Sequence, residues 1–533
     1  MHKVGESYRR YQGDDRWDAI VVGSGIGGLT AAVLLAKYGR MRVLVLERHY
    51  VAGGFTHCFE RSAYEWDVGL HYIGEVGRPE SATRRLFDEL TGGRLEWAPM
   101  PDVYDRIVIG GRSYDLVKGE ERLRDGLKAA FPTEARAIDA YFALVRRQAS
   151  ALGGYYAEKS VPRPIAALFG GLMRRRCLTM ARRTTRETLE ELTSNQELIA
   201  VLTGQFLDYG LPPSRSSFAI HAAIVQHYLD GAFYPVGGAS AIAAGVAPEI
   251  LDRGGRIVVR AEVERILIEG GRAAGVRMAD GRIFRAPLVI SDAGALNTYF
   301  RLLPDAGPAV VALRERLARL GRSTAHLSLY VGLAHSDDEL GLQGTNLWIY
   351  RDEKHDENVA RFLADPDAPL PAVYISFPSR KDPSFQVRRP GRATIEVITA
   401  ASAEWFTPWR DTGWNKRGDD YDALKQRLAQ RLLAVLCEQV PQVRGKIDIW
   451  ELSTPLSTSH FLNYPAGEIY GLDHTPARFL ERGLRPRTPV RGLYLTGQDV
   501  CSCGVTGAMF GGAMTATVAL GQPLLLKIRR GAG

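Results

Sequence analysis

The stretch "WDAIVVGSGIGGLTAAVLLAKYG" restricts the fold more than any other in the chain. Trp17 to Gly23 is a short apolar run that stops at glycine. The residues that follow repeat apolar side chains at helical spacing and stop at Gly39. "MRVLVLE", Met41 to Glu47, is a second β-rich run that ends in an acid. This order predicts one β-α-β unit near the start of the fold. Gly23-Ser24-Gly25-Ile26-Gly27-Gly28 fits G-x-G-x-x-G in the context that pattern requires, after a strand and opening a helix. Gly23 makes the tight turn, Gly25 lets backbone approach a pyrophosphate, and Gly28 lets helix and strand pack closely. The helix N-terminus offers N–H groups and a positive dipole to the phosphates. Glu47 then stands where an acid can accept hydrogen bonds from an adenosine ribose. The competing reading is a packing turn without ligand, and the complete context weighs against it.

The turn alone does not separate NAD from FAD. Two features favour FAD. "RHYVAGGFTHC" puts Gly53-Gly54 just after the acidic strand, between Arg48 and Phe55, where two glycines permit a backbone crossing close to a long cofactor. "YLTGQD" places Gly497 and Asp499 after a last buried strand, where a carboxylate can bind ribitol hydroxyls. The helix starting near Val505 and Thr506 can point its N-terminus at the flavin ring and stabilise negative charge there. A single convincing dinucleotide turn gives no separate NAD(P)H domain, so NAD(P)H enters only as a possible external reductant.

With 533 residues the chain exceeds one compact core, and two domains are expected. Residues 78–228 are mostly helical in pattern, with one hairpin around Gly110-Gly111. Residues 256–291 read as three or four strands joined by glycine turns. Between 296 and 487, "HLSLYVGL", "AVYISFPS" and "RATIEVIT" alternate like half-exposed strands, and "YDALKQRLAQRLLAVLCEQV" is an amphipathic helix. The two chain ends are therefore expected to share one domain, residues 1–80, 230–296 and 488–533. A second domain, 81–229 and 297–487, is inserted between them. The glycine-rich stretch from Val505 to Leu526 reads as a buried helix, because its glycines, threonines, Gln522 and Pro523 argue against lipid exposure.

Several of these stretches occur together in one known group. "EWDVGLHYIG", "HAAIVQHYLDGAFYPVGGAS", "SLYVGL" with "GLQGTN", "YISFPSRKDPS", "STPLS" with "YGLDH", and "GLYLTGQDVCSCG" resemble the FAD-dependent carotenoid and retinoid oxidoreductases, most closely their retinol saturase branch. The resemblance covers most of the chain. It implies an α/β fold: a Rossmann-type, glutathione-reductase-like FAD-binding domain with an inserted α+β substrate domain. It also implies adenine bound by the backbone of Val263, a polyene lipid substrate and peripheral attachment to membranes. Saturation of a C=C bond is the expected reaction, with desaturation or cis–trans isomerisation as the alternative. A non-enzymatic isoprenoid carrier is the rival from another class, and the intact glycine turn with Asp499 argues against it.

Saturation needs hydride on one carbon and a proton on the other, so an acid near the ring is sought. His71 and Tyr72 in "DVGLHYIG" are the first candidates, and Tyr470 and His474 in "YGLDH" the second. Cys501 and Cys503 are too close in sequence for an unstrained structural disulfide. No further ligand pair completes a zinc site, so no metal is expected. The thiols are read as the wall of the flavin site. Five cysteines without a scaffold spacing fit a reducing compartment, and the N-terminus shows no signal-peptide core, so a cytoplasmic location is expected. Net charge is +8, but no nucleic-acid recognition module is visible. Pro162 to Glu187 instead interleaves Ile165, Leu168, Phe169, Leu172 and Met173 with Arg174, Arg175, Arg176, Arg182 and Arg183. That pattern suits the surface of an anionic membrane, or a core helix followed by a solvated loop.

Overall fold

The computed structural model describes residues 3–303 and 307–530. β1 (Ala19–Val22), α1 (Ile26–Gly39) and β2 (Val43–Glu47) form the expected opening unit. α2 (Ala82–Thr91) precedes a hairpin, β3 (Val103–Ile109) and β4 (Arg112–Val117), which turns at Gly110-Gly111. Helices α3 (Ala135–Ser160), α4 (Arg163–Ala181) and α5 (Phe218–Tyr228) follow. α6 (Ser240–Leu251) leads back to β5 (Arg256–Val259). An antiparallel meander comes next, β6 (Val263–Glu269), β7 (Arg272–Met278) and β8 (Ile283–Arg285), and then β9 (Leu288–Ser291). After α7 (Pro308–Ala318) come β10 (Ala325–Leu333), β11 (Asn346–Tyr350), β12 (Ala372–Ser376), β13 (Ala393–Ala401), α8 (Asp419–Gln439) and β14 (Ile447–Ser453). β15 (Leu493–Leu495) and α9 (Gly504–Leu520) return to the first domain.

The first sheet is parallel, in the order Glu6–Ser7, β5, β2, β1, β9, β15. Ala19 and Val21 face α1, α6 and α9, whereas Ile20 and Val22 face the meander and α7. Covering both faces is what makes these strands continuously apolar. β1 has β2 on one side and β9 on the other, so the crevice where strand order reverses opens at its carboxyl end. The chain's two ends meet there through glycines. A Cβ on Gly28 would stand 2.5 Å from Gly23 O, and one on Gly27 would stand 2.6 Å from Gly497 Cα. A Cβ on Gly512 of α9 would collide with Gly27 O. This close seat explains the glycine content of α9, which is buried along most of its length.

The second sheet has seven strands in the order β14, β10, β13, β12, β11, β3, β4, antiparallel except for β11 beside β3. Here the half-exposed reading fails. Every residue of β10 and β12 is buried, and β13 nearly so. Leu327, Leu329, Val331 and Leu333 pack on Leu428, Leu432 and Leu436 of α8. The opposite, more polar face is covered by the first domain: Tyr330 packs with Trp66, whose Nε1 donates to Val331 O at 3.0 Å. Alternation recorded two chemically different interiors.

The domain limits also shift. α2 packs its Leu86, Phe87 and Leu90 into the core shared by α1 and α6, so the first domain runs past residue 80. Tyr299, Val310, Leu313 and Leu317, and later Leu472 and Leu484, belong to the core under the first sheet. The limits at 297 and 487 therefore cut through one packed unit. Among the described residues no helix is long and apolar enough to cross a membrane. α4 nevertheless exposes an apolar stripe at helical spacing, with Leu168 76% and Leu172 71% exposed, flanked by exposed Ile165 and Phe169. Its arginines diverge. Arg174 is buried, lies over the Tyr155 ring and donates to Phe479 O at 2.5 Å, and Arg183 pairs with Glu191.

Candidate cofactor and active site

A cleft of about 340 Å³ opens at the carboxyl end of the first sheet. Gly23, Ser24, Gly25, Ile26 and Gly27 line it, with Glu47 and Arg48 from the end of β2, and Gly53, Gly54 and Phe55 beyond. Val263, Gly497, Asp499 and Val505 line it too. Gly28 does not, because it serves the helix–strand contact described above; Thr506 does not either.

Each lining group is held for a local reason. Glu47 Oε2 accepts from Ser24 N–H at 2.9 Å and from the Ser24 hydroxyl at 2.7 Å, and its Oε1 accepts from His49 N–H at 2.6 Å. One edge of a half-buried carboxylate is thereby fixed while the cleft side stays open. Gly53 and Gly54 have φ of 127° and 56°. Gly54 passes so near that a Cβ would stand 3.0 Å from Gly25 Cα, so only glycine permits this crossing. Asp499 accepts from Ala295 N–H at 2.7 Å and Leu472 N–H at 3.2 Å, with Arg478 3.6 Å away. The first turn of α9 points into the cleft through Gly504, Val505 and Ala508. These donors, the open carboxylates and the glycine crossing fit an extended dinucleotide. Glu47 would hold its ribose, the Gly23–Gly28 turn its pyrophosphate and Asp499 its ribityl chain.

Past the cleft's Gly69, the chain brings His71 and Tyr72 to two buried polar clusters. His71 Nδ1 and Glu396 Oε2 share a proton across 2.7 Å, and Lys381 Nζ donates to His71 O at 2.9 Å. Burial, then the Lys381 charge, pulls the imidazole down to about 3, so it is uncharged at neutral pH. Burial likewise pushes Glu396 up to about 8. The Tyr72 hydroxyl bridges Asp105 Oδ2 at 3.0 Å and Asp208 Oδ2 at 2.9 Å. Asp105 is anchored by Gln205 Nε2 at 2.7 Å and Asn346 Nδ2 at 2.8 Å. Burial and the neighbouring Asp105 push Asp208 up to about 8.

Tyr470 lines the cleft, whereas His474 is fully buried and accepts the Cys503 backbone N–H at 3.0 Å, just before α9. Cys501 and Cys503 are both free and buried; burial raises both thiols, Cys503 to about 12. Such thiols are protonated and poor nucleophiles. Among the described residues no His/Cys/Asp/Glu group is arranged for a metal.

Residues 21–90 match the family described as NAD(P)-binding Rossmann-like domain. The all-trans-retinol 13,14-reductase of Danio rerio is 39% identical, over 96% of this chain and 87% of its own length. The chain belongs to the all-trans-retinol 13,14-reductase family. A chloroplastic prolycopene isomerase of Arabidopsis thaliana is more distant, 28% identical over 95% of this chain and 83% of its own. Among solved structures, cyclohexylamine oxidase from Brevibacterium oxydans IH-35A shares the fold, with a TM-score of 0.61 at 17% identity over 97% of this chain and 99% of that one.

In this member of the all-trans-retinol 13,14-reductase family, sequence reasoning missed the groups that hold the cleft from behind. Arg478 donates to Leu472 O at 2.5 Å and Gln498 O at 2.6 Å, and Lys159 donates to Val500 O at 2.8 Å. Two buried basic side chains thus fix the backbone on both sides of Asp499. It also missed Asp208 and the cleft-lining Asp292. Asp208 ends a one-turn helix, Phe206–Asp208, and Asp292 follows a strand, and only distant partners reveal them.

A Cβ on Gly25 would stand 2.6 Å from Asp292 Oδ2, within the cradle. Gly25→Val is therefore expected to yield folded, colourless protein. Retention of a full flavin complement, measured by absorbance per chain, would place the cofactor elsewhere.

Proposed function

We propose that the cleft holds one FAD and that the chain saturates a C=C bond of a polyene lipid of the retinoid class. The observation that carries this reading is the convergence of Glu47, the Gly23–Gly28 turn, Asp499 and the α9 N-terminus on one cleft, in a chain of this family. The flavin, when bound, supplies hydride chemistry. The protein's own task is to orient the polyene and deliver a proton to the second carbon.

The Asp208–Tyr72 pair suits that task. Its turn abuts the flavin end of the cleft: Cys503 Sγ lies 3.8 Å from Asp208 O, and the Tyr470 ring fills the space beside Gly210. Asp208 is protonated at neutral pH, and the Tyr72 hydroxyl stabilises the carboxylate left after transfer. His71 positions the adjoining loop through Glu396 and Lys381. NAD(P)H acts as an external reductant, without a nucleotide turn of its own in the described residues. The relationship to a prolycopene isomerase supports a second reading, cis–trans isomerisation on the same flavin.

Anaerobic mixing of the reduced protein with retinoids and carotenoids, scored by product mass, tests the reading. A product heavier by two hydrogens is expected; one of unchanged mass favours isomerisation. Asp208→Asn should keep its flavin and lose turnover by about 10²–10⁴-fold. Wild-type turnover should fall as pH rises through about 8, where Asp208 loses its proton. An Asp208→Asn protein with normal rates would remove the acid from this position.

Polyenes partition into bilayers, so we assign the stripe on α4 to the membrane surface. Arg174 and Arg183 point to protein partners, which leaves exposed Arg175, Arg176 and Arg182 for lipid phosphates and shifts the weight to the apolar side chains. Burying each leucine or phenylalanine is worth about 1.5–3 kcal/mol. Changing Leu168, Phe169 and Leu172 together to Gln should abolish co-sedimentation with anionic vesicles; undiminished binding would locate the membrane face elsewhere.

A further inference from the structure

Asp292 follows β9 directly, and its N–H donates to Val22 O at 2.8 Å, which seats it at the carboxyl end of β1. Its carboxyl lies inside the phosphate cradle. Oδ2 is 2.6 Å from the point a Gly25 Cβ would occupy and 3.0 Å from that of Gly28. Oδ1 is 2.7 Å from that of Gly27 and 2.5 Å from that of Gly497. The backbone N–H groups of Gly25 and Gly28 at the start of α1 partly offset the burial of its charge, and that helix end is where a pyrophosphate would sit.

The charges around it are unfavourable for a second anion. Glu47 at the end of β2 and Asp499 after β15 face it, as does the Tyr464 hydroxyl from the loop across the cleft. Arg48 and Arg301 also line the cleft, but neither forms an ion pair with Asp292 among the described residues; they engage Glu262 and the Asn463 side chain. The positive potential nearest its carboxyl is that of the α1 N-terminus. Two anions cannot share that one terminus without strong repulsion in a dry site.

We propose that Asp292 is a cofactor-binding residue that is protonated whenever FAD occupies the cleft and donates its carboxyl O–H to a phosphate oxygen. Binding FAD to protein whose Asp292 is ionised therefore takes up one proton, and affinity declines with rising pH. Burial, with Glu47 and Asp499, pushes the carboxyl up to about 8, so the decline begins near that pH. A doubly partnered phosphate then holds the acid protonated to still higher pH. This inference rests on FAD being the occupant of the cleft.

The test follows release of FAD from diluted holoenzyme by flavin fluorescence, from pH 7 to pH 10, in wild type and Asp292→Asn. The amide is neutral at every pH and can donate to phosphate. Wild-type dissociation constants should rise by about tenfold per pH unit above the transition, while those of Asp292→Asn stay nearly flat and at least as low. Parallel profiles in the two proteins would overturn the assignment. Should Asp292→Asn fail to fold, titration calorimetry of wild type in buffers of different ionisation enthalpy reads the same event. Uptake approaching one proton per FAD above pH 8 supports the proposal, and zero uptake throughout overturns it. Folded protein that binds no flavin at any pH would instead remove the reading of the cleft beneath it.

Discussion

The structure depends on a contact that tolerates no side chains. α1 begins, and α9 passes, within van der Waals reach of the same backbone, through Gly27, Gly497, Gly511 and Gly512. This seat brings an N-terminal turn and a C-terminal loop, separated by most of the chain, to opposite walls of one cleft. Glu47 and Asp499 then stand at two stations along it, with two helix N-termini aimed inward. Fixed dipoles and open carboxylates are what an anionic, hydroxyl-rich cofactor needs, and assembling them before binding avoids the cost of ordering them afterwards.

The second sheet supplies a different environment. Its outer face is hydrocarbon against α8, while its inner face carries Tyr330, Tyr374, Glu396 and Asn346 toward the first domain. Burying the charged and amide-donor groups is tolerable because they are paired: Glu396 with His71 and the Asp67 N–H, the Asn346 Nδ2 with Asp105, and Tyr72 with both aspartates. Burial also stores protons, against the pull of these hydrogen bonds, and for Asp208 a second carboxyl adds to it. Carboxyls that would be ionised in water are held near neutrality, which is the condition for delivering a proton to carbon at physiological pH.

What could be read in advance follows sequence distance. The glycine turn and its acid were legible because strand, turn, helix and strand are contiguous. The stripe of Leu168, Phe169 and Leu172 was legible as periodicity, but the direction of Arg174 was not, since Phe479 O and Tyr155 draw it inward. The alternation of "HLSLYVGL" was real, yet water was the wrong assignment for its polar face. Asp208 and Asp292 carried no local signal, because their meaning comes from Tyr72 and from the glycine turn. His71 and Tyr72 were found as residue types; the carboxylates that set their proton balance were not.

The claim at the centre is that one FAD lies along this cleft, from Glu47 to the α9 N-terminus. A crystal structure of the flavin-loaded protein tests it most directly. The account predicts the adenosine ribose at Glu47, the pyrophosphate over Gly25, the ribityl chain at Asp499 and the ring beside Val505 and Tyr470. A flavin seated elsewhere, or a cleft filled by lipid without flavin, would contradict it.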